Sequence, residues 1–407
     1  MSRRTLVAFL LALACTVTLT TPAQASRDPR LPPLPSRETL QSILEKITRN
    51  GSPGVLVQIR DERGTWSSSA GVENVETRRP MRPEGRFRIG SLTKAFVSTV
   101  IMQLVQERRM RLDDSVERWL PGLVPAGAGI TVRQLLNHTS GVYNYLDDVV
   151  MWNDYMNLRY RTWRPEELVG VATSHGPLFA PGTDWYYSNT NYVLAGLIVE
   201  KVTRRPLEIE VYQRLIMPLG LWNTSFPTTY PKILGPHADG YFGGGPEGPF
   251  IEATELNPSR MYGAGAMISN ASDLNRFWQA LLGGRLLRAD MLREMQTTVP
   301  ALGGGYGLGI SVFEPCGFPL WGHNGRMPGY GVRLLQTADG RRQVTVAVNV
   351  QTDSETLLPL LDRLLLEEFC GGNPEESGTN GVVGSPDAHH PAEEHLIPQI
   401  LEARDEE

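Results

Sequence analysis

Three short groups of residues carry the side chains on which chemistry could be built. Ser91 and Lys94 lie one helical turn apart, so a lysine amine can sit beside a serine hydroxyl. The next residues, Ala95, Phe96, Val97, Val100, Ile101, Leu104 and Val105, are apolar on nearly every face. That pattern predicts a buried helix with the serine on its first turn. Free backbone N–H groups and the positive end of the helix dipole gather there. A lysine in an apolar site loses part of its preference for the charged form and can take a proton from serine. Only four of the 39 basic residues are lysine, which lowers the odds of a chance pairing.

The second group is Tyr187 and Asn189, within Tyr186–Asn191 after the turn Pro181-Gly182. From an irregular turn at a helix start both can project into one cleft. A phenol can relay a proton to a leaving group, and an amide side chain can hold a peptide-like substrate. The third is Trp321-Gly322-His323-Asn324-Gly325, expected to end a strand shortly before Pro328-Gly329. A strand edge near a serine supplies a backbone N–H for an oxyanion hole. Gly325 lets a substrate backbone come close. Taken singly, each group has a structural reading: a capped core helix with a snorkelling lysine, a capping turn, a histidine before a turn.

The elements that must position these groups can be read from periodicity. Ser36 to Asn50, closed by Gly51, is an amphipathic helix with Leu40, Ile43, Leu44 and Ile47 on one face. Strands are expected at Val55–Arg60 and Thr65–Val72, and a short one at Phe87–Gly90. Helices are expected near Thr131–Asn137, Pro165–Ser174, Asn191–Thr203, Pro206–Met217 and Ser272–Leu282, the last started by Ser272-Asp273. Tyr306–Phe313, Leu320–Gly322, Gly331–Thr337 and Gln343–Val350 read as consecutive antiparallel strands, with a hairpin turn at Ala338-Asp339-Gly340. Asp353–Phe369 is a closing helix in which Pro359 introduces a kink. The outline is an α/β fold: a sheet built from residues 36–90 and 303–370, with a helical insertion over about 110–262.

Composition bounds the setting. A net charge of −5 gives no reason to expect a nucleic acid partner. Arg3-Arg4, an apolar run from Leu6 to Leu19, and Ala23-Gln24-Ala25 before Ser26 make residues 1–25 a secretory signal peptide. The expected location is therefore extracellular, on the cell-wall side, and no other stretch is long enough for a membrane span. With the signal removed, Cys316 and Cys370 form an even pair, most simply a disulfide in an exported protein. Its loop would stabilise the fold by roughly 4 kcal/mol. Residues 372–407 hold nine acidic residues against Arg404 alone and read as a disordered or cleaved tail. His389, His390 and His395 belong to that tail, and no metal site is expected.

Ser-x-x-Lys, then Tyr-x-Asn about a hundred residues on, then His-x-Gly on a C-terminal strand, is the ordered triplet of the penicillin-binding and serine β-lactamase superfamily. Over residues 36–372 the chain resembles the secreted serine D-alanyl-D-alanine carboxypeptidases of Gram-positive bacteria, in the branch of the class C β-lactamases and related esterases. The likeness includes Thr131-Val132-Arg133-Gln134-Leu135-Leu136-Asn137-His138-Thr139-Ser140-Gly141, Tyr306-Gly307-Leu308-Gly309 and the cysteine pair. It implies a β-lactamase/transpeptidase-like fold, an antiparallel sheet flanked by helices with an inserted all-helical subdomain, and a cofactor-free site between them.

The resemblance also assigns roles. Ser91 attacks a carbonyl, Lys94 and Tyr187 share the proton transfers, and Asn189 binds the acyl-side amide. The N–H groups of Ser91 and Arg326 form the oxyanion hole, and His323 stands where relatives have a lysine, polarising Tyr187. His138 packs beneath the site. The implied substrate is a peptidoglycan stem peptide, the implied acylating inhibitors are β-lactams, and a monomer is expected. One position departs from the pattern: the arginine that holds the substrate carboxylate in the carboxypeptidase branch is Ser311 here. A guanidinium suits a carboxylate, so Arg326 is the first substitute and Arg260 the second. Without either, an esterase or D-aminopeptidase is the alternative. A β-lactam-binding cell-wall sensor that does not turn over is the alternative of another class.

Overall fold

The computed structural model of the 407-residue chain describes residues 31–151, 158–243, 249–301, 303–351 and 356–371. The expected signal peptide and tail lie outside the described residues. Every helix and strand among the described residues belongs to the compact unit that begins at Pro32.

Ser36 opens the first helix, α1 (Arg37–Arg49), by accepting the Thr39 N–H, and Leu40, Ile43, Leu44 and Ile47 are its buried stripe. Two strands follow, β1 (Gly54–Asp61) and β2 (Gly64–Gly71), paired from Gly54–Gly71 to Asp61–Gly64. The next strand, β3 (Phe87–Arg88), is only two residues long. It pairs with β6 (Ile268–Ser269) in a small sheet of its own, which corrects the expectation that it joins the main sheet. Gly90, at φ +51°, ends it and turns the chain into a 3-10 turn over Gly90–Leu92 and then helix α2 (Thr93–Gln106). Helix α3 (Asn189–Thr203) is buried over most of its length, as α2 is.

Inside the inserted stretch, β4 (Tyr241–Gly243) and β5 (Phe250–Glu252) form a hairpin. The insertion is therefore mostly helical rather than wholly so. The expected Pro206–Met217 helix is present but wound as a π turn over Tyr212–Ile216. Asn270, not Ser272, caps helix α4 (Ala271–Leu282), through its side chain and the Asp273 N–H.

The C-terminal strands are β7 (Val299–Ala301), β8 (Gly304–Tyr306), β9 (Ser311–Phe313), β10 (Leu320–Met327), β11 (Tyr330–Thr337) and β12 (Gln343–Val348). They build an eight-stranded antiparallel sheet in the order β2-β1-β12-β11-β10-β9-β8-β7, so strands from both ends of the domain meet at β1 and β12. A last short strand, β13 (Val350–Gln351), runs parallel to β4. Two expectations are corrected here. Tyr306–Phe313 is two strands, because Gly309 at φ +80° turns the chain where a Cβ would lie 2.2 Å from Ser98 Oγ. The strand carrying His323 runs on through Gly325 to Met327, so His323 sits mid-strand.

Helix α5 (Leu357–Cys370) closes the domain, with Pro359 in its first turn, where the missing N–H costs nothing. The disulfide forms between Cys316 and Cys370, with Cα atoms 5.4 Å apart. Helix α4 lies on β12, where Thr345 and Gln343 hydrogen-bond Asn275. Phe96 of α2 stacks on Phe277 at 3.7 Å. Burial of each such side chain contributes about 1.5–3 kcal/mol. This packing fixes α2, and with it Ser91 and Lys94, against the sheet. No helix among the described residues is long and apolar enough to cross a membrane.

Candidate active site

Two glycines place the serine. A Cβ at Gly90 would lie 2.5 Å from the Arg326 carbonyl oxygen and 2.8 Å from its nitrogen. A Cβ at Gly325 would lie 2.0 Å from the Ile89 carbonyl oxygen. Only glycine allows that approach, and it holds Ser91 beside the backbone of Arg326.

Lys94 is completely buried and organises the centre. Its Nζ is hydrogen-bonded to Ser91 Oγ at 2.9 Å and donates to Asn189 Oδ1 at 2.7 Å and to the Ala264 carbonyl at 2.9 Å. All three oxygens are uncharged. The amine also lies 4.8 Å over the Tyr187 ring and 5.5 Å over the Tyr192 ring. The structure thus brings Ser91, Lys94, Tyr187 and Asn189 together. Asn189 opens α3, and its backbone N–H is taken by the Asn144 side chain at 2.9 Å. Asn144 was not legible as a site residue, because no local spacing relates it to Asn189.

His323 is also fully buried. Its Nδ1 lies 2.5 Å from the Asn324 carbonyl, which can only accept, so Nδ1 carries the proton. Its Nε2 then accepts from the Tyr306 hydroxyl at 2.9 Å. Tyr306 meets the Tyr187 ring edge-to-face at 6.2 Å. It is the second group that sequence reasoning missed as a side chain of the site, although its Tyr-Gly-Leu-Gly run forms part of the resemblance.

His138 lies in the same aromatic cluster, 4.3 Å from Tyr187 and 4.8 Å from Tyr306 by ring centroid. Burial first, and the charge of Lys94 second, hold its pKa well below the ordinary histidine value.

The two candidate cations fare differently. Arg260 is buried, and its guanidinium donates to the Met151 carbonyl. Arg326 is half-buried on β10, opposite Gly331. Ser311 is buried on β9, opposite Gly322, the neighbour of His323. A short hydroxyl thus occupies the position at which the resemblance implies an arginine, across from Tyr306 on the neighbouring strand. No cluster of three or more His, Cys, Asp or Glu side chains that could hold a metal ion exists among the described residues.

A large antiparallel sheet flanked by helices, with a buried Ser-x-x-Lys at the start of a core helix, defines a β-lactamase/transpeptidase fold. Residues 39–367 match the Beta-lactamase family, and the chain belongs to it. It is similar to a solved D-stereospecific amidohydrolase from Streptomyces sp., at 40% identity and TM-score 0.76, over 83% of this chain and 99% of that one. It is similar to the D-amino acid amidase from Ochrobactrum anthropi SV3, at 28% identity and TM-score 0.72, over 81% and 97%. Penicillin-binding protein 4* of Bacillus subtilis is 26% identical over 345 residues, 78% of this chain and 73% of that protein. The superfamily is one of serine acyl-enzyme hydrolases that includes penicillin-binding proteins, amidases and esterases.

Proposed function

We propose that this protein is an exported amidohydrolase that forms an acyl-enzyme at Ser91 and cleaves amide bonds of D-configured residues without requiring a free carboxylate beyond the scissile bond. The observation that carries this reading is Ser311, buried where a carboxylate-binding arginine would stand, with Arg260 engaged on the Met151 carbonyl. A buried site that keeps a hydroxyl in place of a guanidinium loses the bidentate pairing a terminal carboxylate needs. The similarity to the Streptomyces and Ochrobactrum proteins supports the D-amide preference.

In this reading Lys94 reacts as the neutral amine: its two hydrogens stay on Asn189 Oδ1 and the Ala264 carbonyl, Ser91 Oγ attacks the scissile carbonyl carbon, and the serine proton passes to the Nζ lone pair 2.9 Å away. The N–H groups of Ser91 and Arg326 take the charge that develops on the carbonyl oxygen. Collapse breaks the C–N bond, and the leaving amine takes its proton through Tyr187. Asn189 holds the acyl-side amide. Water then hydrolyses the ester and returns the proton to Ser91. β-Lactams acylate the same oxygen.

The second reading, a D-alanyl-D-alanine carboxypeptidase acting on peptidoglycan stem peptides, is favoured by Arg326, half-buried next to Gly325. One assay separates the two. Product release is measured from an acyl-D-Ala-D-Ala peptide, from the same peptide amidated at its C-terminus, and from D- and L-amino acid amides. Comparable rates on the free acid and the amidated peptide, with D over L, support the amidohydrolase. Strong preference for the free acid overturns it in favour of the carboxypeptidase.

A further inference from the structure

His138 is a buried group of the site to which the mechanism gives no part. Its backbone carbonyl accepts the Tyr186 N–H at 3.1 Å, and its Nδ1 accepts the Ser188 N–H at 3.2 Å. The two bonds bracket Tyr187, one residue to either side. The Asn191 side-chain amide lies 3.1 Å from the same Nδ1. A backbone N–H can only donate, so Nδ1 carries no proton, and the proton of the neutral ring is on Nε2. Nε2 is buried with no hydrogen-bond partner among the described residues. The ring is tilted 36° against Tyr187 at 4.3 Å, and His138 holds the left-handed backbone at φ +63°, rare for a non-glycine residue. The titratable groups around it are Lys94, His323, Tyr187, Tyr192 and Tyr306.

We infer that His138 is a positioning residue for Tyr187: it clamps the tyrosine backbone on both sides and sets a neutral imidazole face against the phenol, so that the hydroxyl stays aligned with Lys94 and the leaving amine. A residue that merely filled this space would need volume and nothing more. The left-handed backbone turns the imidazole toward the Tyr186–Asn191 segment, where the carbonyl and ring of one residue can each take an N–H.

This rests on acylation at Ser91, and Ser91→Ala in the same amidase assay tests that separately: activity equal to wild type there sinks the acylation reading, not the clamp. His138→Leu keeps the volume and removes the acceptor, whereas His138→Asn tolerates the left-handed backbone and keeps an acceptor. The expected result is a kcat for the leucine variant lower by about 100-fold, the scale of a small misplacement, with KM little changed and the kcat–pH profile displaced. The asparagine variant recovers part of that loss at a similar melting temperature. Wild-type kcat and pH profile in the leucine variant overturn the proposal, as do equal losses in both variants that follow melting temperature alone. If the leucine variant does not fold, nitrogen NMR of the wild-type imidazole decides. A persistent Nε2–H tautomer from about pH 5 to 8 supports the clamp, and protonation in that window or an Nδ1–H tautomer overturns it.

Discussion

Lys94 and Glu368 are both wholly buried ionisable side chains, and the molecule treats them in opposite ways. The Lys94 amine lies hydrogen-bonded to Ser91, Asn189 and Ala264, all uncharged oxygens at 2.7–2.9 Å. Glu368, in the last turn of α5, has neither carboxylate oxygen hydrogen-bonded among the described residues. Burial first, and the charge of Asp61 second, push its carboxyl up to about 7, against the pull of Arg37, Arg342 and Arg63. Asp61, close to the same arginines, shows what hydrogen bonds change. Burial works against its charge, yet bonds from Arg63 and the nearby Arg37 hold it below the usual aspartate value. Burial alone does not decide what such a group does. Its partners decide where its proton rests: uncharged oxygens hold the Lys94 amine against Ser91, whereas Glu368, with no such bonds, is pushed up to about 7.

The largest test of that contrast is Lys94→Ala. Loss of the base is expected to lower the acylation rate by on the order of 10³-fold or more, measured by single-turnover labelling of Ser91. Acylation near the wild-type rate would mean that the three bonds of Lys94 are structural only. Next is Gly325→Ala, whose Cβ would collide with the Ile89 carbonyl. The strand must move away from Ser91, so kcat should fall about 100-fold, with roughly 1–3 kcal/mol of stability lost to overpacking. A variant with native melting temperature and rate would show that β10 is not pinned there.

Glu368→Gln probes the other side. A carboxyl whose folded value is raised binds its proton more tightly in the folded state. Its penalty is therefore full above about pH 7 and fades as pH falls toward about 4.3, the unfolded value. The glutamine variant should be more stable than wild type by roughly 3–4 kcal/mol at pH 8, with the gain gone near pH 4. Urea unfolding at the two pH values checks this, and an equal gain at both would refute the titration. The smallest effect is expected from Tyr306→Phe, which removes the hydroxyl bonded to His323 Nε2. A loss of about 1 kcal/mol in stability and about tenfold in kcat is predicted, read by melting and steady-state assay.

Much of the fold was legible because its signals are local. Ser36 caps α1 and four apolar residues mark its buried face, as expected from spacing alone. The β1–β2 hairpin and the β11–β12 turn follow from alternation and turn residues. The misreadings fall where distant packing overrides local pattern. Tyr306–Phe313 looks like one strand until Ser98 and Tyr192 crowd Gly309 from α2 and α3. Phe87–Arg88 looks like a strand of the main sheet, but Gly90 must meet β10 from the side. Arg260 was a reasonable carboxylate partner by type, and its bond to the Met151 carbonyl could not be seen without the fold.

By itself, the sequence determined which side chains are available and in what order: Ser91 one turn before Lys94, Tyr187 before Asn189, His323 before Gly325, and two cysteines able to pair. These are properties of neighbouring residues, and helix and strand periodicity suffices to read them. Only the tertiary structure decided which of them meet. Lys94 reaches Asn189 across 95 residues and Ala264 across 170, His323 takes its proton partner from Tyr306 on another strand, and His138 finds Tyr187 from a separate turn. Such contacts depend on how buried faces pack, and packing is a property of the whole core, which no local spacing records.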